Sequence, residues 1–98
     1  MAQVQVLYWH DIPAQVRVRE GRERASQPLP IRFQEAIDNA AMAAGVTGSD
    51  AYTDGFHWEE AGERSGAVTD IAAAVAAELD AAYPAISWRN TADKLKAG

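Results

Sequence analysis

The sequence contains no cysteine. This absence excludes disulfides, thiolate metal ligands and a cysteine nucleophile. It fits a reducing compartment, and we expect a cytoplasmic protein. No stretch approaches the ~20 consecutive apolar residues of a membrane span, so we expect no membrane partner. The first residues, MAQVQVLYWHD, lack the basic start and apolar run of a signal peptide.

Basic residues are also scarce. Nine Lys and Arg stand against 14 Asp and Glu, which gives a net charge of −5. Because phosphate binding needs clustered basic side chains, this balance argues against a nucleic-acid partner. Large aromatics are few, with two Phe, three Tyr and three Trp in 98 residues. Such a chain forms one domain with a thin core, and we expect a protein partner and leave a homo-oligomer open.

Alternating apolar and polar residues predict an antiparallel β-hairpin or three-strand meander over about residues 3–27. Gln3 to Trp9 alternates, and Ala14 to Arg19 alternates again after the break at Pro13. A tight turn is predicted at Glu20-Gly21, followed by a polar edge strand. That turn would place Arg19 opposite Arg22 and Arg17 opposite Arg24.

Two main helices are predicted at about residues 30–44 and 67–83. Apolar residues recur at helical spacing in both segments, Pro30 suits a first helical turn, and Gly45 suits a helix end. Together with the strands, these helices predict an α+β fold. We assign residues 1–90 to a single globular domain and residues 91–98 to a polar C-terminal tail.

Residues 46–66 fit no regular pattern. Ser49 is placed to cap a short helical turn, but the glycines and acids that follow resist regular structure. Twenty residues of pure loop are unusual in a compact domain. We therefore expect short helical pieces here, or a segment that docks on a partner.

The pair His10–Asp11 in the stretch LYWHDIP is the most chemically suggestive feature. A carboxylate beside an imidazole can tune a general base. Adjacent strand residues point to opposite faces, however, and no nucleophile stands nearby. We favour a turn in which Asp11 caps the backbone. A second group, His57 with the acids around it, matches no metal-ligand spacing, and we expect neither a metal nor a cofactor.

Three surfaces are candidates for partner binding. The first is the turn Trp9, His10 and Asp11, and the second is the loop Phe56, His57 and Trp58. The third is an arginine face formed by Arg17, Arg19, Arg22 and Arg24. Aromatic and arginine side chains are the usual anchors of interfaces, and arginines pair with carboxylates or phosphates.

The stretches YWHDIPAQV and RFQEAIDNAAMAAG, with GSDAY and AAAVAAELDAAY, resemble a small bacterial family labelled virulence factor. This family is related to the N-terminal part of larger conserved virulence factor proteins. The resemblance covers about residues 3–84, and the first two stretches are its specific part. Family members usually have arginine where this chain has His10, and the stretch TDGFHWEEAGERSG also departs. The resemblance implies no catalytic residues. It implies an accessory subunit beside folate- or corrinoid-dependent one-carbon enzymes.

The sequence therefore predicts a small non-catalytic accessory or adaptor domain that binds a protein partner. One alternative is a small metal-dependent or acid–base enzyme that uses His10, Asp11 and His57. That alternative requires the His10 turn and the His57 loop to meet in space. A second alternative is an anion- or nucleotide-binding module on the arginine face.

Overall fold

A computed structural model of the protein describes residues 1–46 and 48–97 and confirms the α+β class. The antiparallel sheet has four strands in the order β3-β2-β1-β4. Among the described residues, no helix has the length and apolar character to cross a membrane. The elements are β1 (Ala2–Trp9), β2 (Ile12–Glu20), β3 (Glu23–Pro28), α1 (Ile31–Ala43), α2 (Ser49–Asp54), β4 (Phe56–Arg64), α3 (Val68–Ala82) and α4 (Trp88–Ala97).

The strands β1 and β2 form the predicted hairpin. Val4 pairs with Val18 and Val6 with Val16, and these cross-strand pairs lie on the buried face of the sheet. His10 and Asp11 form the two-residue turn between the strands, as expected. The register shifts after Leu7, where a bulge changes the direction of the residues that lead into the turn.

The second turn lies one residue later than predicted. Gly21 and Arg22 form it, because only glycine adopts a φ of +58° without strain. As a result Arg19 lies opposite Arg24, and Arg17 lies opposite Ser26. The predicted pairings of Arg19 with Arg22 and of Arg17 with Arg24 are wrong.

The helices α1 and α3 cover one face of the sheet. Their apolar stripes, which include Phe33 and Ile37 in α1 and Ile71 and Val75 in α3, join the buried valines in one core. Both helices lie within one residue of their predicted bounds at each end. Gly45 follows α1 with a φ of +74°, which is the predicted left-handed helix end.

The segment that fitted no pattern contains a short helix and a fourth strand. The helix α2 matches the expected helical turn, but its N-cap is Gly48 and Ser49 is its first residue, so the predicted cap at Ser49 is wrong. The strand β4 was not predicted. β4 pairs along β1 and forms one edge of the sheet. Most of its residues are exposed on both sides, so it lacks the apolar alternation by which a strand is recognised.

Residues 91–98, predicted as a polar tail, are helical as far as Ala97, and Gly98 lies outside the described residues. The helix α4 packs against α1. It buries Thr91 and Ala92 between the helices and the turn end of the hairpin. Trp88, Ala92 and Leu95 recur at helical spacing and pack against the core, but this short apolar stripe lies in a polar segment and was not predicted.

Candidate functional site

The face of the sheet opposite the helices is exposed to solvent, and we call it the open face. Residues that pair across neighbouring strands point to the same side and form rows. Three rows cross all four strands. From β4 toward β3 they are Glu63, Gln3, Arg19 and Arg24; Glu60, Gln5, Arg17 and Ser26; and Trp58, Leu7, Gln15 and Pro28.

Arg17 is the centre of the open face. Its guanidinium carbon lies 3.9 Å from the ring centroid of Trp58, which is a cation–π stack. Its Nε donates to Oε1 of Gln5 at 2.9 Å, and Nε2 of Gln5 donates to Oε1 of Glu60 at 2.7 Å. The network joins β2, β1 and β4, and it holds Trp58, 38% exposed, flat on the face.

Charge is segregated across the open face. Arginines occupy β2 and β3, whereas Glu60 and Glu63 lie on β4. Arg19 and Arg24 face each other directly, and neither has an ion-pair partner among the described residues. Of the four predicted arginines, only Arg22 leaves this surface, because it lies in the turn.

The second region of interest is a pocket of about 370 Å³ at the turn end of the hairpin, which we call the turn pocket. It brings together side chains from the β1–β2 turn, β4 and α4. Its lining consists of His10, Asp11, His57, Thr91, Lys94 and Leu95. The condition that the His10 turn and the His57 segment must meet in space is therefore fulfilled.

His10 is held in an unusual conformation. Its φ of 56° lies in the left-handed region, which costs a non-glycine residue about 1–2 kcal/mol. Its backbone N–H donates to the carbonyl of Gly55 at 2.9 Å, and its ring contacts Trp9 edge-on at 4.6 Å. Burial lowers the pKa of His10; the Asp11 charge opposes this shift, and His57 adds to it. His10 is therefore neutral at neutral pH.

Asp11 ties the hairpin turn to α4. Oδ1 of Asp11 accepts a hydrogen bond from the hydroxyl of the buried Thr91, and Oδ2 lies 3.4 Å from Nζ of Lys94. Asp11 was expected to cap its own turn. It instead contacts a helix whose Thr91 lies 80 residues further along the chain. Both His10 and Asp11 line the turn pocket, because a two-residue turn does not follow strand alternation.

His57 reaches the turn pocket through strand pairing. It lies opposite Tyr8 in the ladder, and the two rings stack at 6.0 Å. Nε2 of His57 lies 3.0 Å from Oε2 of Glu59. Burial raises the pKa of Tyr8, and Tyr83 and Glu59 add to the effect. A phenol and an imidazole thus line one side of β4 while Trp58 lies on the other.

No three His, Asp or Glu side chains converge as metal ligands anywhere in residues 1–46 and 48–97. Within the turn pocket, Asp11 is engaged by α4 and one nitrogen of His57 is near Glu59. The groups that remain are the imidazoles of His10 and His57 and the exposed ammonium of Lys94, since the Thr91 hydroxyl donates to Asp11. This set can bind a small polar molecule or transfer a proton, but it contains no activated nucleophile.

Two of the predicted contact residues belong to the interior. Trp9 is completely buried, and its Nε1 donates to the carbonyl of Tyr52 at 2.8 Å. It is therefore an anchor of the core and not available to a partner. Phe56 is half-buried and packs edge-on against Tyr52 at 5.5 Å. Gln3, Gln5 and the acids of β4 were missed as parts of a surface, since only the pairing of β4 with β1 assembles them.

An antiparallel sheet with helices on one side and a bare opposite face places the chain among small two-layer α+β domains. A family model described as virulence factor matches residues 7–89, and the chain belongs to this family. The match confirms the resemblance seen in the sequence. No curated protein and no solved structure matches the chain.

Proposed function

We propose that the protein is a small, non-catalytic accessory domain of the cytoplasm that binds a protein partner through its open face. The single observation that carries this proposal is the bare sheet face with the Arg17–Trp58 stack at its centre. Trp and Arg are the residue types that most often dominate binding energy. The guanidinium and indole are already positioned, so binding sacrifices little side-chain entropy.

The charge pattern determines what kind of partner fits. A face with arginines on one half and acids on the other requires a partner with the opposite arrangement. Such complementarity contributes orientation and association rate more than affinity. Following the family resemblance, an enzyme of folate- or corrinoid-dependent one-carbon chemistry is the partner to test first.

The test is affinity purification from the native host at native expression, followed by mass spectrometry. We expect a stoichiometric partner with the wild type and its loss with the double variant Trp58→Ala, Arg19→Ala. Met42→Ala is the matched control, because Met42 is an exposed apolar residue on α1, in the helical layer. Equal recovery with the double variant would show that binding occurs elsewhere, and recovery of the bare protein throughout would contradict an accessory role.

A second candidate function follows from the turn pocket. His10, Asp11 and His57 line one pocket with Lys94, and this geometry favours a small-molecule or acid–base role over a purely structural turn. The measurement is NMR of the imidazole C–H signals during addition of small carboxylates and phosphates, and of Zn²⁺ for the metal-dependent version. Saturable shifts of both histidines, absent in Lys94→Ala, would support this function. Signals that stay unchanged throughout would eliminate it.

A further inference from the structure

We infer that the open face is covered by a second copy of this chain, related by a two-fold axis that runs along the strands between β1 and β2. The inference rests on the proposed function in one respect, since it uses the same face: in the absence of the enzyme partner a second copy covers the open face, and the partner must displace it to bind. Its basis is the order of charges along the rows of the sheet. When a second copy is turned face to face with the first, its negative side lies over the positive side of the first.

The two rows that carry charges, which begin at Glu63 and at Glu60, have the same order. An acid stands on β4, a glutamine on β1 and an arginine on β2. In the outer row, Arg24 on β3 adds a second positive charge at the end opposite Glu63. The face is thus positive along β2 and β3 and negative along β4, with neutral glutamines between.

The charged residues of the outer row have no ion-pair partner in the part of the chain that the structure describes. Arg19 and Arg24 are directly opposite each other, and like charges in such cross-strand pairs destabilise a sheet. Among the described residues, neither of them nor Glu63 forms an ion pair. A carboxylate brought over this arginine pair would relieve the repulsion.

A two-fold axis parallel to the strands supplies that carboxylate. It reverses the strand order, so that β3 of one copy lies over β4 of the other and β2 lies over β1. Arg24 then faces the Glu63 of the second copy, and Ser26 faces its Glu60. Both contacts occur twice, as an isologous interface requires.

The other two-fold arrangement is unfavourable. An axis in the interface but perpendicular to the strands would lay β3 over β3 and β2 over β2. Arginine would then face arginine, and Glu60 and Glu63 would lie against the acids of the other copy. The charge pattern therefore selects both the partner and its orientation. Packed sheets usually cross at about 30°, and this angle changes the exact distances between facing side chains but not which charges face each other.

The interface is small. Four strands ~4.8 Å apart and about six residues long, at ~3.4 Å each, present roughly 400 Å² of flat area. Interfaces of this class are weak and transient. The dimer should therefore be sought at high protein concentration and low ionic strength, where surface charges are least screened.

Cysteine cross-linking tests the orientation without background, because the chain has no cysteine. Chains carrying Ser26→Cys are mixed with differently tagged chains carrying Glu60→Cys under mild oxidation. We expect the mixed disulfide to exceed both self-linked products. Each chain carries a single cysteine, so no disulfide can form within a chain. Self-linked Ser26→Cys as the main product would indicate the perpendicular axis and overturn the proposal.

Charge reversal tests the self-complementarity by sedimentation equilibrium. We expect Arg24→Glu alone and Glu63→Arg alone each to weaken the dimer about tenfold or more, since each places like charges face to face. The double variant exchanges the two charges and should restore the wild-type constant within about threefold. Failure of the double variant to restore dimerisation would contradict the pairing.

The inference and the proposed function fail differently. A wild type that stays monomeric and gives no preferred cross-link refutes the second copy as occupant. The proposed function would still stand if a host protein is captured in a manner that depends on Trp58 and Arg19. A dimer that forms as described, together with host capture that ignores those substitutions, would retain the inference and remove the function.

Discussion

The two faces of the β1–β2 hairpin are built from alternate residues of the same strands, yet they differ in every physical property. One face carries Val4, Val6, Val16 and Val18, all essentially inaccessible to solvent under the helices. The other carries glutamines and arginines held in a hydrogen-bonded network with β4. Because side chains alternate with a period of two, stability and recognition are encoded by adjacent positions and can be altered separately.

The largest expected effect comes from comparing the same substitution, Trp to Ala, on the buried and on the open face. Trp9→Ala removes a fully buried indole and its bond to the Tyr52 carbonyl, and should cost about 3–5 kcal/mol of the free energy of unfolding. Trp58→Ala removes an exposed indole and one cation–π contact, and should cost less than about 1 kcal/mol. Urea denaturation of dilute protein measures both. Similar costs would show that the open face is part of the stabilising core.

An intermediate effect is expected where the core meets the turn pocket. Gly55 has an ordinary φ of −71°, but a Cβ there would lie 2.5 Å from Nε1 of Trp9 and 2.8 Å from Nε2 of His10. Gly55→Ala should therefore cost about 1–3 kcal/mol by overpacking. Gly48→Ala is the control, with open space around it and a φ of −75°, and should change stability by less than about 0.5 kcal/mol. Equal melting temperatures for the two variants would mean that the Trp9 and His10 side chains move to accommodate the added Cβ without loss of stability.

The smallest effect is a pH dependence that originates at His10. Its pKa is lowered below the ordinary 6.5, so the folded state favours the neutral ring. The resulting stability is complete above that ordinary value and is lost as the pH falls through the lowered pKa of the folded state. His10→Asn removes the titration and tolerates positive φ, so its stability should fall less between pH 7 and pH 5. Parallel pH curves for wild type and His10→Asn would refute the assignment.

The elements that follow a strict period could be predicted from the sequence. The hairpin and both main helices bury one face and leave the other exposed, and that contrast is visible in the residues. The edge strand β3 is exposed along almost its whole length and was predicted from the turn that precedes it. β4 could not be predicted, since it exposes both sides and bends at Gly62, whose φ is +89°. α4 follows the helical period with Trp88, Ala92 and Leu95, but this stripe is short and lies in a polar segment.

The candidate sites were predictable only in part, for a related reason. The arginine surface could be predicted from local alternation alone. Only the predicted pairing of its arginines was wrong, because the turn is centred one residue later, at Gly21 and Arg22. The meeting of His10 with His57 depends on the pairing of Tyr8 with His57, which joins residues far apart in the chain. No local pattern contains that information, and the same pairing positions Glu60 and Glu63 beside the glutamines of β1.

The bulge in β4 has a consequence for how the sheet ends. The ladder between β1 and β4 shifts register beside Gly62, and the exposed edge that follows carries acids. At the opposite edge, β3 is short, charged and ends at Pro28. Bulges, charges and proline are the devices that prevent strands of different molecules from joining into a continuous, fibre-like sheet. The sheet is thus closed to lateral growth on both sides, and contact between copies of the sheet is confined to its broad surface.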